Sequence, residues 1–225
     1  MPVYASLFIL SSAFAGTPDD SKASLERIAD AVPQCAQGME TCLGIRLYMA
    51  VVDGQPVQTP VWVQEQFENA NRLFQPLSVG VMLESVRPLP EEEAECDNKE
   101  HRDALGAARY EDGPIHVFVP KRVANVDDPG DIYGVHWRNR KKTSQRWIIV
   151  SSIAWGMTMV HEMGHFFGLS HSKKADSIMN LGGKESIPFK ERIFRSGEQS
   201  KMRKQLEYKI RKKLLVPVRL SEESQ

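Results

Sequence analysis

The chain has 225 residues, of which 26% are charged and 41% are hydrophobic. This is an ordinary globular composition, and the length suits one domain with a substantial core, with or without short extensions. Acidic and basic residues balance to a formal net charge of +0, so no overall field favours a nucleic acid or an anionic membrane as partner.

The N-terminal segment from Val3 to Ala15 is apolar or small and ends in the pattern Ala13-Phe14-Ala15. It has the length of a secretory hydrophobic region and is too short to span a bilayer, and A-x-A is a cleavage pattern. We therefore predict a signal peptide over residues 1–15 and a secreted or periplasmic protein, although no Lys or Arg precedes the apolar run. An ordinary buried strand is the alternative. No other segment is long and apolar enough to cross a membrane.

The three cysteines, Cys35, Cys42 and Cys96, form no CxxC zinc pattern. In an oxidising compartment Cys35 would pair with Cys42 across a short loop, or Cys42 would pair with Cys96. Either pairing leaves one cysteine over, and the sequence does not choose between them.

Strands and helices are predicted from hydrophobic period and turn residues. Residues 16–43 are interpreted as an N-terminal extension with a short helix, and residues 44–225 as one mixed domain. Five strands are predicted, in GIRLYMAVVDG, VGVMLESV, PIHVFVP, GDIYGVHW and RWIIVSS. Helices are predicted in TPVWVQEQFENANRLFQPL, in RDALGAARY, in the apolar segment 153–169 and in SGEQSKMRKQLEYKIRKKLL. Apolar positions at helical spacing are Val61, Phe67, Ala70, Leu73 and Phe74 in the first of these, and Met202, Leu206, Ile210 and Leu214 in the last.

This order of elements predicts an α/β (α+β) domain with a twisted mixed sheet of about five strands. RWIIVSS is apolar at nearly every position, which is typical of a strand buried on both faces. The basic C-terminal run is interpreted as a solvated helix face, so we expect no nucleic-acid partner.

The sequence HEMGHFFGLSH, residues 161–171, holds three of the six histidines and one glutamate. Residues four apart lie on one face of a helix, so His161 and His165 project side by side, one turn apart. Two imidazoles at that spacing converge on one metal ion. Glu162 lies beside the ion, where it can act as a general base on a bound water.

Gly168 lies three residues after His165. Glycine adopts the left-handed conformation that ends helices, so we predict a sharp turn that brings His171 back to the other two histidines. Three neutral imidazoles with one open position make a catalytic zinc site, whereas a structural site has four protein ligands. The alternative is a set of core histidines without metal, which is disfavoured because each buried polar atom would need its own partner.

HEMGHFFGLSH followed by SKKADSIMN resembles the metzincin clan of zinc endopeptidases, whose pattern is HExxHxxGxxH with a downstream Met-turn. The resemblance covers about residues 44–215. It implies a zincin-like catalytic domain with an active-site helix, a Met-turn and a C-terminal helix. It also implies one catalytic Zn²⁺ held by His161, His165 and His171, with Glu162 as catalytic base. Met179 would be the Met-turn methionine, which supports the site without binding zinc.

Within the clan, GLSHS…SIMN is similar to matrixins and SGEQSKMR to bacterial pappalysin-like proteases. Leu181 stands where astacins have a tyrosine, and LGGKESIP stands where matrixins have a Pro-x-Tyr wall. The sequence around Cys35 weakly resembles the switch cysteine of matrixin propeptides. A thiolate of Cys35 that caps the zinc is therefore an alternative to a disulfide or a free thiol.

The implied function is zinc-dependent hydrolysis of internal peptide bonds, through a zinc-bound water activated by Glu162. The protein or peptide substrate would bind as an added strand along an edge strand near residues 131–137. His136, in the same strand, is interpreted as an ordinary strand histidine. Two alternatives remain, a zinc-dependent amidase acting on a non-protein, cell-wall-type amide and a metal-retaining binding protein without turnover. The loop NVDDPGD is a weak calcium candidate and is interpreted as a turn, and the oligomeric state is not predicted.

Overall fold

The computed structural model describes residues 18–35, 38–182 and 187–219, so the predicted signal peptide over residues 1–15 lies outside the described residues. The helices are α1 (Pro18–Ala31), α2 (Pro60–Phe74), α3 (Lys99–Ala107), α4 (Thr158–Phe166) and α5 (Ser196–Arg211). The strands are β1 (Thr41–Val52), β2 (Gln55–Pro56), β3 (Val79–Leu89), β4 (Glu95–Cys96), β5 (Ile115–Val119), β6 (Arg122–Val123), β7 (Gly134–Arg138) and β8 (Arg146–Val150). Short 3₁₀ segments cover Gln75–Leu77, Glu91–Glu93 and Phe189–Glu191.

Six of these strands form one mixed sheet, in the order β2-β1-β5-β8-β7, with β3 also paired to β1. β1 is parallel to β3 and β5, β5 is parallel to β8, and β7 is antiparallel to β8. β7 therefore forms one edge of the sheet. The predicted mixed sheet of about five strands is confirmed, and the two-residue strand β2 is an addition to it. β4 and β6 form a separate parallel pair.

Local sequence explains how the first elements begin and end. Asp53 and Gly54 have φ of 51° and 73°, which is the left-handed backbone of a tight hairpin turn into β2. The Thr59 hydroxyl accepts a hydrogen bond of 3.2 Å from the Trp62 amide, and Pro60 occupies the first position of α2. This is the helix start that the sequence predicts.

β8 is buried on both faces, as its continuous apolar sequence predicts. Ile148 and Val150 belong to the larger core cluster, on the side of α2 and α4. Trp147 and Ile149 belong to a second cluster on the other face of the sheet. The alternation follows from the period of two in a strand. α4 thus lies on a sheet that is anchored from both sides.

Three details of the helix predictions are wrong. Val61 is 73% exposed, and Val63 is buried instead, because Val63 lies four residues before Phe67 on the buried face whereas Val61 lies on another face of α2. α5 ends at Arg211, so Leu214 lies beyond the helix and Leu215 is the buried residue. The apolar segment 153–169 contains a helix of only nine residues, α4.

The N-terminal part of the described chain packs against the rest. Leu25, Ile28 and Val32 are buried in the larger core, and β1 begins at Thr41, three residues before the predicted strand. Cys35 and Cys42 form a disulfide, which decides between the two pairings left open by the sequence. Cys96 is buried and free. Among the described residues, none of the helices has the length and hydropathy needed to cross a bilayer.

Candidate metal centre

The three histidines of residues 161–171 lie together, as predicted. His161 and His165 lie one turn apart on α4, with ring centroids 5.0 Å apart. The His171 ring lies 5.5 Å from the His161 ring and 4.6 Å from the His165 ring. One nitrogen from each ring falls within 4.8 Å of the others. This is the only such group of potential metal ligands among the described residues.

Gly168 makes the turn that returns the chain to the helix. Its φ is +84°, its amide donates to the His165 carbonyl at 2.9 Å and the Leu169 amide donates to the Gly164 carbonyl at 2.9 Å. This pair of bonds is a Schellman motif, which places a left-handed glycine directly after the last helical turn. The predicted role of Gly168 is therefore confirmed.

The hydrogen bonds of the imidazoles fix which nitrogen faces the centre. His161 Nδ1 lies 2.8 Å from the Ile178 carbonyl oxygen, and His165 Nδ1 lies 2.8 Å from the Leu169 carbonyl oxygen. Because a carbonyl only accepts, both Nδ1 atoms carry the hydrogen, and both Nε2 atoms present a lone pair. Such bonds from the outer nitrogen are the usual support of metal-binding histidines.

A cation fits between these rings. His165 Nε2 and His171 Nε2 lie 3.0 Å apart, so two lone pairs would face each other unless a proton or a metal ion lies between them. Burial lowers the pKa of His161 to about 4 and also lowers the pKa of His165. Both imidazoles are therefore neutral at neutral pH, which is the form that binds metal.

The loop 177–180, here called the Met-turn, lies beneath the histidines. Met179 is fully buried, and its Sδ lies 2.4 Å from where a Cβ on Gly164 would be. The Ser177 hydroxyl accepts from the Met179 amide at 3.0 Å and donates to Glu198 at 2.7 Å. Asn180 accepts from the Gly182 amide at 2.7 Å. Met179 thus packs against α4, and side chains within the loop and on α5 hold its backbone.

Glu162 is buried next to His161, at the open edge of β7. Its Oε2 accepts a 2.7 Å hydrogen bond from the His136 amide. Burial raises the pKa of this carboxyl to about 8, against the lowering effects of that hydrogen bond and of Arg102. The carboxyl therefore lies close to the proton-transfer range near neutral pH.

The His136 side chain lies next to α4, within electrostatic range of His165. Its ring packs edge-on against Phe166 at 5.9 Å between centroids. Burial lowers its pKa to about 3, and its Nε2 is buried without a hydrogen-bond partner among the described residues. Only the backbone amide of His136 reaches Glu162.

A cavity of about 830 Å³ opens next to His161, Glu162 and His171. One side is formed by the start of β7 and the residues before it. Other lining residues come from 181–182 and 187–192, after the Met-turn. Its lining includes Tyr133, Gly134, Trp155, Thr158, Leu181, Ile187, Pro188, Phe189 and Arg192.

Comparisons with known proteins give the same architecture. The matrixin family model matches residues 109–186, less than half of the chain but including all three histidines, Glu162 and Met179. No curated protein matches the chain. Metalloproteinase-II from Bacteroides fragilis superposes with a TM-score of 0.53 at 13% identity, over 79% of this chain and 60% of that one. Archaemetzincin from Methanopyrus kandleri superposes with a TM-score of 0.51 at 14% identity, over 76% of this chain and 99% of that one.

The chain has a metzincin-type fold. At these identities the structural likeness concerns the fold, and the chain spans only 60% of the length of metalloproteinase-II. The match to the matrixin model and the histidine triad add to it. Together they support a metzincin-type zinc metallopeptidase.

The metzincin-type domain also shows residues that the sequence motif does not identify. Arg192, Trp155 and Tyr133 line the cavity, and Glu198 on α5 holds the Met-turn through Ser177. In the sequence, the only sign that Arg192 and Glu198 belong to the site is that both follow closely after the Met-turn. An arginine or a glutamate in a charged stretch is otherwise indistinguishable from a surface residue.

The loop NVDDPGD of the metzincin-type domain is a turn, and two of its three carboxylates are paired with cations. Asp127 accepts from Lys99 at 3.2 Å and Asp131 accepts from Arg122 at 2.9 Å. The Asp127 amide donates to the Asn125 side chain at 3.1 Å. These contacts fit the interpretation of the loop as a turn.

Proposed function

We propose that the chain is a zinc endopeptidase that hydrolyses internal peptide bonds of protein or peptide substrates. The main observation behind this proposal is that three imidazoles converge beside the buried carboxyl of Glu162, on the wall of an 830 Å³ cavity. Three protein ligands leave one position of a tetrahedral zinc site open. A carboxyl with a raised pKa at the same place suits proton transfer.

His161, His165 and His171 would hold one Zn²⁺ through the nitrogens that face the centre. When bound, zinc lowers the pKa of a water ligand and polarises the carbonyl of the scissile bond. The carbonyls of Ile178 and Leu169 fix the orientation of two rings, so the ligand geometry is set before the ion binds.

Glu162 would take the proton of the attacking water and deliver it to the leaving amine. Both steps need a carboxyl whose pKa lies near the working pH. Burial raises the pKa of Glu162, and a cation held by the histidines would lower it again in part. The His136 amide keeps one carboxyl oxygen in place, at 2.7 Å.

The edge strand β7 would bind the substrate as an added strand. In an antiparallel pair, every second residue turns its N–H and C=O away from the partner strand. The His136 amide points to Glu162 rather than to β8, so residues 134, 136 and 138 turn their backbone groups to the open edge. Glu162 takes the His136 amide, and the substrate would pair with the other groups of this edge. The added strand would lie across the cavity next to Glu162.

Export to the periplasm or to the outside of the cell is part of this proposal. Supporting it are the apolar N-terminal sequence and the disulfide between Cys35 and Cys42, because disulfides persist in oxidising compartments. N-terminal sequencing of the protein recovered after expression in the presence of a secretion pathway would test cleavage after Ala15.

A Glu162→Ala variant tests the mechanism. We expect it to bind one zinc per chain like the wild type and to lose at least about a hundredfold in kcat/KM on a proteome-derived peptide library. Glu207→Ala, at an exposed position of α5, is the control and should keep full activity.

Equal hydrolysis by Glu162→Ala and the wild type would refute the assigned role. The same library separates the alternatives. A wild type that binds zinc and cleaves no peptide would favour a non-protein amide substrate or a binding role.

A further inference from the structure

Arg192 is an arginine that the fold buries next to the candidate metal centre. It is 5% exposed and lines the cavity that also exposes His161, Glu162 and His171. The positive charge of Arg192 therefore acts on any group that is bound in the cavity.

No carboxylate of the described residues forms an ion pair with Arg192. Its Nη1 donates to the Asn180 carbonyl at 2.5 Å and its Nε donates to the Ile187 carbonyl at 3.2 Å. Burial alone lowers its pKa, with no acidic group opposing the effect among the described residues. Buried charges are normally paired, because an unpaired one loses its hydration without compensation.

Counting partners within residues 18–35, 38–182 and 187–219, the guanidinium has donors left for a ligand. It carries more N–H groups than the two bonds to carbonyls use, and the free ones lie at the Nη1 and Nη2 end. Phe189 lies under its plane, with 4.6 Å between the guanidinium carbon and the ring centroid. This stacking and the two carbonyls hold the group in one orientation, which favours a planar, bidentate partner such as a carboxylate.

The rest of the cavity is largely apolar. Its lining includes the side chains of Leu181, Ile187, Pro188, Phe189 and Trp155. Leu181 and Trp155 are 73% and 63% exposed, which places them at the rim. An apolar wall with one buried cation is complementary to an aliphatic stem that ends in a negative group.

We propose that Arg192 is a specificity-determining residue that selects substrates with a carboxylate next to the hydrolysed bond. This inference rests on the proposed function, since the cavity is taken as the substrate site. The carboxylate has two sources in peptides, the side chain of an acidic residue and the free C-terminus. The first would retain endopeptidase action, and the second would restrict cleavage to chain ends.

Binding of small probes tests the inference without turnover. The probes are aliphatic monohydroxamates of increasing length that end in a carboxylate, each matched with one that ends in a carboxamide. For at least one length, we expect the zinc-loaded wild type to prefer the carboxylate by about tenfold or more, as for a charge-assisted hydrogen bond. Arg192→Gln should reduce that ratio to about one, and Arg192→Lys should keep part of it because the charge remains.

The ratio within each protein is compared, so a loss of stability in a variant does not mimic the effect. The wild-type ratio is itself decisive if Arg192→Gln does not fold. Equal wild-type affinities for both series, or affinity for neither, would overturn the inference. A ratio that survives in Arg192→Gln would overturn it too.

Peptide cleavage distinguishes a side-chain carboxylate from a C-terminal one. It also tests the endopeptidase proposal separately from the carboxylate site. Matched peptides carry Glu or Gln on either side of the cleaved bond, and each is made with a free and an amidated C-terminus. A preference for Glu in amidated peptides assigns the pocket to a side chain, and cleavage only of free C-termini assigns it to the chain end. If no peptide is cleaved but the probes still discriminate, the endopeptidase proposal fails and the carboxylate site stands.

Discussion

Gly134 is a residue of the edge strand β7 that packs closely against Glu162. A Cβ at this position would lie 2.8 Å from Thr158 Cγ2, 3.1 Å from Glu162 Cγ and 3.2 Å from the Ile149 carbonyl oxygen. Cβ atoms essentially never come as close to another heavy atom as 2.8 Å. The Ile149 carbonyl belongs to the paired strand β8 and cannot move aside. The absence of a side chain at Gly134 therefore allows Glu162 to lie against the strand.

A Gly134→Ala variant is expected to displace Glu162 and to lower kcat/KM by about tenfold or more, because small misplacements of a catalytic group are costly. Its zinc content should stay near that of the wild type, since no ligand moves. The measurement is peptide hydrolysis together with metal analysis. Gly197→Ala is the control, since a Cβ there meets nothing within 4 Å. Unchanged activity in Gly134→Ala would contradict the close packing described above.

Lys209 is the buried cation of α5, and it gives a prediction about pH. Burial, assisted by Arg146, lowers its pKa from 10.5 to about 8. Between these values the unfolded chain holds the proton more often than the folded one, so the free energy of unfolding rises with pH in that window. Below pH 8 the full penalty of burial applies. The Phe166 ring, 4.3 Å from the ammonium nitrogen, offsets part of it.

Lys209→Met is therefore expected to be more stable than the wild type near neutral pH, by about 1 kcal/mol after the lost cation–π contact is counted. The advantage should disappear as pH rises to the ordinary lysine range. Denaturant unfolding at several pH values measures both effects. Lys204→Met, at an exposed position of the same helix, should show neither. If the free energy of unfolding of the wild type instead fell relative to Lys209→Met between about pH 8 and pH 10.5, the predicted direction of the pH dependence would be wrong.

At the scale of elements, Glu198 connects α5 to the Met-turn. Its carboxylate accepts from the Ser177 hydroxyl at 2.7 Å and from the Arg195 amide at 2.8 Å. Ser177 in turn supports the Met179 amide, and the neighbouring Ile178 carbonyl accepts from His161. The first turn of α5 thus orients one of the three imidazoles through the loop.

Glu198→Ala is expected to lower the free energy of unfolding by about 2 kcal/mol, because it removes two charge-assisted hydrogen bonds. Zinc affinity should fall by about tenfold, as for other residues that orient metal ligands. Denaturant unfolding and competition with a zinc chelator measure the two effects. Glu207→Ala again serves as the control. A loss of stability without any loss of zinc affinity would contradict the proposed link between the start of α5 and the metal centre.

The elements that the sequence predicts well are those with a period or a capping residue. Pro60 and Thr59 mark the start of α2, and the apolar run of β8 predicts burial on both faces. Gly168 predicts the turn after α4. In contrast, α5 ends before Leu214 through the left-handed residue Lys213, with φ of 59°. A lysine at this position does not mark a helix end in the sequence, as a glycine would.

At the scale of the whole molecule, the histidine motif was predictable because its spacing is local. His161, Glu162 and His165 share one short helix, and His171 lies six residues after His165, beyond the turn at Gly168. The cavity was not predictable, because its two walls come from residues far apart in the chain. Tyr133 and Trp155 precede the motif, whereas Phe189 and Arg192 follow it. Only the packing of β7 and the segment after the Met-turn around α4 brings them together.

The central claim is that three imidazoles hold one zinc ion whose remaining position is open. The most direct test is metal analysis of the purified, folded protein, combined with X-ray absorption at the zinc edge. We predict one zinc per chain, bound by three nitrogens at about 2.0–2.1 Å and one light atom, with the metal lost in His171→Gln and kept in His101→Gln. A folded protein that binds no stoichiometric zinc, or a spectrum that shows four protein ligands, would contradict the account.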